Sequence, residues 1–132
     1  MLWPPADWQP GELPVNDDSL VMLARAGGSS VLLEGDAERR AEHEIATEAP
    51  QARLLKVGHH GSITSSIPEL LAAVHPQFAV ISVGRHNLFG HPRSEVIERL
   101  AEDGIRSYRT DMSGAITFLL QDGRVTVSDR GE

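Results

Sequence analysis

The chain of 132 residues has a formal net charge of -7, with 40% hydrophobic and 23% charged residues. This length and composition predict one globular domain with a modest core. An acidic chain does not attract phosphate backbones unless a local basic patch or a bound cation reverses the field. The lack of cysteine excludes disulfides and thiolate metal sites. No apolar run approaches the roughly 20 residues of a membrane helix.

The first half of the chain predicts an irregular arm followed by a hairpin and a helix. Four of the eight prolines fall within the first fourteen residues, so residues 1–17 should form an extended arm. Alternating apolar residues in SLVMLARA and SSVLLE predict two strands that are joined at Gly27 and Gly28. The segment AERRAEHEIATEA then predicts a helix with an apolar stripe at every fourth residue.

The second half alternates strands and helices. RLLKV and QFAVISVG predict buried strands, and each is followed by a helix. Ser66 is the predicted cap of the first of these helices, and Pro92 opens the second. IRSYR, GAITFLL and RVTVSD predict closing strands, the last two joined by a turn at Asp122 and Gly123. The order predicts a mixed α/β fold with its helices on one face of the sheet.

Polar residues follow three of the predicted strands. Asp36 follows VLLE, His59 and His60 follow LLKV, and a loop with Asn87 and His91 follows AVISV. Sites in such folds gather at the carboxyl ends of strands, and a carboxylate with several imidazoles suits zinc or manganese. Other roles stay open, since Asp36 could cap the next helix and His91 could bond within its own loop. A serine nucleophile is disfavoured because no acid–histidine–serine arrangement is evident.

Four segments together resemble one known fold. LLEGD, LLKVGHHGSITSS, AVISVGRHNLFGHP and IRSYRTDMSGAITF are similar to the C-terminal half of a metallo-β-lactamase-fold domain, and most similar to that domain in the ComEC family of DNA-uptake proteins. The resemblance runs from LWPP to about Phe118. It implies that residues 1–132 form half of an αββα sandwich. It also implies a soluble extracytoplasmic domain, periplasmic or at the cell surface, of a bacterial inner-membrane protein.

The resemblance also implies roles for individual residues. Asp36 matches the aspartate that bridges two metal ions, and His59 matches a histidine that ligates the second of them. His60 and His91 would then be catalytic, by orienting the phosphate or donating a proton. The substrate side would be completed by Ser62, Asn87 and Asn16.

The chain departs from the family pattern in two places. Asn16 and Asp17 fall near the position where many relatives carry another histidine ligand, and no histidine occurs there. The histidine- and aspartate-rich cluster that begins the family's site has no match in residues 1–35. Two or three ligands are too few for a closed metal site. A divalent cation, Zn or Mn, is therefore expected to bind this chain weakly or not at all.

The implied function is that of part of a metal-dependent phosphodiesterase or nuclease acting on DNA during competence-linked uptake. The chain alone should be inactive, with the missing N-terminal half-domain, the membrane channel portion of the same protein and DNA as its partners. One alternative is a non-catalytic interaction module or homodimer, because the strands carry more apolar side chains than helices on one face can cover. Another is a metallo-hydrolase of a different ester or amide substrate.

Overall fold

The computed structural model describes residues 1–128, and its main sheet has five strands in the order β1-β2-β3-β4-β5. The first two strands form an antiparallel hairpin, and the other three join in parallel. The predicted mixed α/β class is confirmed. The strands are β1 (Val21–Ala26), β2 (Ser29–Glu34), β3 (Leu54–Lys56), β4 (Phe78–Ile81) and β5 (Arg106–Arg109).

The helices supply one side of the main core. They are α1 (Arg39–Thr47), α2 (Pro68–Val74), α3 (Ser94–Glu102) and the single turn α4 (Thr110–Ser113). Leu32, Leu55 and Ala79 lie opposite one another on three neighbouring strands and are fully buried beneath this layer. Apolar side chains of α1, α2 and α3 belong to the same core cluster, so hydrophobic burial fixes these helices on the sheet.

A second, two-stranded sheet packs on the other face. It consists of β6 (Thr117–Gln121) and β7 (Arg124–Ser128), and its Val125 is buried with Leu54 and Phe78. The expectation that this sheet face lies uncovered is therefore wrong at Leu54 and Phe78. The face stays partly open at the hairpin edge, where Met22 is 43% exposed. The predicted last strand extended to Asp129, which lies outside the described residues.

The proline-rich arm is packed onto the sheet edge. Trp3 is buried, forms a bridge with Val21 of β1, and donates its indole N–H to the carbonyl of Asp17 at 2.7 Å. Trp8 stands edge-on to Trp3 and donates to the Asp18 carboxylate at 2.9 Å. Apart from a short 3₁₀ turn at Asn16–Asp18, the arm has no regular element.

The start of α2 differs from the prediction. Ser66 has a left-handed backbone (φ 54°) and does not cap the helix with its side chain. Instead, the carboxylate of Glu42 on α1 accepts hydrogen bonds from the backbone N–H groups of Ser66 at 2.7 Å and Ile67 at 2.8 Å. Glu42 is fully buried, and this contact joins α1 to the start of α2.

Candidate metal centre at the histidine loop

The loop that follows β3 holds two adjacent histidines in an unusual backbone conformation. His59 (φ 43°) and His60 (φ 55°) are both left-handed, which costs about 1–3 kcal/mol for each non-glycine residue. Two backbone hydrogen bonds hold the loop in this conformation. The His59 N–H donates to the Gly35 carbonyl, and the Ser62 N–H donates to the His59 carbonyl, both at 2.9 Å. Strain held in place by its surroundings is typical of functional sites.

His60 is oriented towards Asp36. Its Nδ1 lies 2.7 Å from the Ser82 carbonyl, and because a carbonyl only accepts, this nitrogen must carry the proton. Its Nε2 lies 3.5 Å from Oδ1 of Asp36 at the end of β2. With the proton on Nδ1, a lone pair on Nε2 would face a carboxylate oxygen. A cation between the two groups, or a second proton on the ring, would make this contact favourable.

His59 is held by a carboxylate that the sequence did not single out. Its Nδ1 lies 3.1 Å from Oε1 of Glu38, and this oxygen also accepts from Thr64 at 2.7 Å and from Asn16 at 3.3 Å. The arrangement leaves Nε2 of His59 as the free nitrogen, as in carboxylate–histidine pairs around metal ions. Partial burial opposes charge on Glu38, but the hydrogen bonds from Thr64 and Asn16 and the adjacent His59 outweigh it and lower the pKa of Glu38.

His91 lies beside His59, with the two ring centroids 5.6 Å apart. Its Nδ1 is buried without a hydrogen-bond partner among the described residues. Burial, followed by the neighbouring His59 and His60, lowers the pKa of His91. The ring is therefore a neutral imidazole at neutral pH. The structure thus brings His59, His60 and His91 to one edge of the sheet, with Asp36 against His60.

The three residues proposed for substrate binding all make contacts within the protein. Ser62 is buried, with its hydroxyl 2.9 Å from that of Thr64. Asn87 donates to the carbonyls of Gly84 and His91 and accepts from the His91 N–H, so it ties the ends of its own loop together. Asn16 is exposed and reaches Glu38.

A pair of buried glutamates lies beneath the loop. Glu34 is 2% exposed and Glu42 is fully buried, and a Cβ added to Gly58 would come within 2.6 Å of Oε2 of Glu34. Burial and the nearby Glu42 raise the pKa of Glu34 well above its ordinary value. Burial also raises the pKa of Glu42 to about 7, against the hydrogen bonds that it accepts. Neither side-chain oxygen of Glu34 has a hydrogen-bond partner among the described residues, so burial favours the protonated form of this carboxyl group.

The donor set fits part of a metal shell. Asp36 and His60 present a carboxylate oxygen and an imidazole nitrogen, which are ligands that zinc and manganese accept. Within residues 1–128, however, no group of three or more histidine, aspartate or glutamate side chains is arranged to hold a metal ion. No helix in this part of the chain is long and apolar enough to cross a membrane.

Sequence comparison places the chain among known proteins, although no protein-family model matches it. It is 40% identical over 105 residues to ComE operon protein 3 of Bacillus subtilis, covering 78% of this chain and 14% of that protein. It is 39% identical over 113 residues to competence protein ComA of Neisseria gonorrhoeae, covering 83% of this chain and 16% of that protein. The chain is homologous to a segment of bacterial competence proteins.

A third relative supports the same homology. Recombination protein 2 of Haemophilus influenzae is 42% identical over 101 residues, covering 76% of this chain and 13% of that protein. The chain therefore spans between 13 and 16% of the length of these three relatives. The homology to competence proteins supports the resemblance to the ComEC family.

Proposed function

We propose that this chain is the C-terminal half of a metallo-β-lactamase-like domain that hydrolyses phosphodiester bonds of DNA during competence-linked uptake. The observation that carries the proposal is the 3.5 Å approach of His60 Nε2 to Asp36 Oδ1, at the carboxyl ends of two paired strands. Metal ligands in α/β folds are expected at this edge. The homology to competence proteins supports DNA as the substrate.

Asp36 and His60 would hold a zinc or manganese ion, whereas the resemblance assigned the ligand role to His59 and a catalytic role to His60. Such an ion, when bound, supplies an activated water and neutralises charge on the phosphoryl group. Glu38 keeps His59 in one tautomer and one orientation. His91, as a neutral imidazole, can donate a hydrogen bond to a phosphate oxygen or accept a proton.

The remaining ligands would come from outside this chain. Asp36 and His60 fill two positions, whereas a catalytic metal site has about three protein ligands and an open position for water. We infer that an N-terminal half-domain contributes the rest and that this chain is inactive alone. The assembled domain would be extracytoplasmic and joined to the membrane channel portion of the same protein.

Bound cations also reconcile the net charge of -7 with a polyanionic substrate. The local field at a metal site is set by the ion, not by the distant carboxylates. Two arginines, Arg85 and Arg93, flank the loop that carries His91 and are exposed to solvent. Phosphates approaching this edge would therefore meet positive charge in an otherwise acidic chain.

A chimera tests the proposal. The segment of competence protein ComA that matches this chain is replaced by it in Neisseria gonorrhoeae, and the transformation frequency is measured. The chimera is expected to transform, and Asp36→Asn and His60→Gln are each expected to lower the frequency by roughly 100-fold, the upper end of the loss caused by changing a residue that only supports a metal ligand. His43→Gln, on the exposed side of α1, is the matched control. Full transformation by the Asp36→Asn chimera at equal protein levels would contradict the proposal.

A further inference from the structure

The loop between β4 and α3 ends in an exposed apolar tip. Leu88 is 98% exposed and Phe89 is 76% exposed. The tip is nevertheless held in place, because the Asn87 amide bonds to the carbonyls of Gly84 and His91 and to the His91 N–H. Large apolar side chains on a fixed, exposed loop are typical of a surface that contacts a ligand.

The ring of Phe89 is part of a stack that leads to the histidine loop. Its centroid lies 5.9 Å from that of His91, and the two ring planes are only 14° apart. The His91 ring in turn lies 5.6 Å from the ring of His59. One face of Phe89 is therefore turned to His91, while most of the ring is open to solvent. A flat aromatic ligand on the open face would extend the stack.

Two arginines stand beside the tip. Arg85 and Arg93 are exposed to solvent, and Nε of Arg93 lies 3.9 Å from Oε2 of Glu95. A guanidinium nitrogen of Arg93 lies 4.0 Å from the place where a Cβ on Gly90 would stand, so this charge is next to the tip. Arg85 donates to the backbone carbonyl of Asp111, which leaves its charge uncompensated by that contact. Aromatic rings interleaved with cations are the composition of single-stranded nucleic-acid sites.

We propose that Phe89 is a stacking platform for an unpaired nucleobase, with Arg85 and Arg93 contacting the adjoining phosphates. This inference rests on the proposed function, since it takes DNA as the substrate. It adds that the strand is bound single-stranded, because only an unpaired base offers a free face to the ring. The stack from Phe89 through His91 then directs the next phosphate towards the histidine loop. A membrane-inserting tip would use Leu88 as much as Phe89 and would gain nothing from the parallel His91 ring.

The test measures binding to this chain without added metal, so that it does not depend on hydrolysis. Fluorescence anisotropy compares a short labelled single strand with an abasic strand of the same length and with a duplex. Phe89→Ala is expected to raise the Kd for the single strand by roughly 5- to 150-fold, the range for removal of one base–aromatic stack. Phe89→Trp should restore the affinity. The neighbouring and equally apolar Leu88→Ala is the matched control and should stay within about twofold of the parent chain, because it removes no stack.

Each outcome decides between distinct interpretations. The platform is supported if the chain prefers the single strand over the abasic strand and only Phe89→Ala loses this preference. This conclusion holds even if the chimera fails to transform. The platform is ruled out if the abasic strand binds as tightly as the normal single strand, or if Leu88→Ala loses as much affinity as Phe89→Ala. Neither result bears on the proposed hydrolysis. Binding to anionic phospholipid vesicles that depends on both Leu88 and Phe89, with no preference among the nucleic acids, would assign the tip to a membrane and also overturn it.

Discussion

The Nε2 atom of His60 faces the Oδ1 atom of Asp36 across 3.5 Å, and the other nitrogen of the same ring is fixed by the Ser82 carbonyl. The ends of three strands therefore contribute to this contact, since Asp36 follows β2, His60 follows β3 and Ser82 follows β4. In this arrangement His60 has a left-handed backbone. The left-handed backbone of His60 therefore lowers the stability of the loop that carries the site.

His60→Gly is expected to give a more stable chain than His60→Ala. Both variants lose the imidazole, but only glycine adopts a left-handed backbone without steric cost. The difference in the free energy of unfolding should be about 1 kcal/mol in favour of glycine. Guanidinium unfolding followed by the fluorescence of Trp3 and Trp8 measures it. Equal stability of the two variants would mean that the loop is not strained at this position.

The buried glutamate pair is expected to make the chain less stable as pH rises from about 4.3 to about 7. The folded pKa values of Glu34 and Glu42 are raised, so within this window the folded state binds more protons than the unfolded state. The free energy of unfolding then falls by up to about 1.4 kcal/mol per pH unit for each group. Glu34→Gln removes one of the two groups and should flatten the dependence.

Denaturant unfolding at a series of pH values checks this prediction. Glu44→Gln, on the exposed side of the same helix as Glu42, is the control and should leave the slope unchanged. A stability that rises between pH 5 and 7 in the parent chain would show that the pair is not protonated in the folded state.

The β6–β7 hairpin is expected to keep the chain monomeric. Val125→Asp would place an unpaired carboxylate against Leu54 and Phe78, detach the hairpin and uncover the sheet face. Analytical ultracentrifugation over a range of concentrations should show a monomer for the parent chain and self-association for the variant. Thr126→Asp, on the exposed side of the same strand, should behave like the parent. A parent chain that dimerises at the same concentrations would contradict this prediction and favour the homodimer that the sequence left open as an alternative.

Much of this fold follows from local patterns. Alternation of apolar residues predicted β1 and β2, continuous apolar runs predicted β3 and β4, and the turn at Asp122 and Gly123 predicted the last hairpin. The position of Asp36 and the histidines at one sheet edge follows as well. Parallel strands place their carboxyl ends together, and each group comes directly after such an end.

The parts that the sequence did not reveal depend on contacts between distant residues. Glu38 is two positions from Asp36 and is indistinguishable in sequence from an ordinary acidic helix start, so only its distance to His59 shows its part in the site. Glu42 lies in a helix rich in charged residues, where nothing in the sequence distinguishes it, yet it takes over the cap predicted for Ser66. The burial of Leu54 and Phe78 by the hairpin depends on how two sheets pack, which strand patterns do not specify.

Calorimetric titration of the chain with Mn²⁺ and Zn²⁺ tests the central claim most directly. Binding weaker than micromolar is expected, because two ligands leave most of the coordination shell to water. This binding should disappear in Asp36→Asn and in His60→Gln and persist in His43→Gln. Affinity that is unaffected by both Asp36→Asn and His60→Gln would contradict the assignment of the site, and submicromolar affinity that depends on them would contradict the claim that the chain holds only part of it.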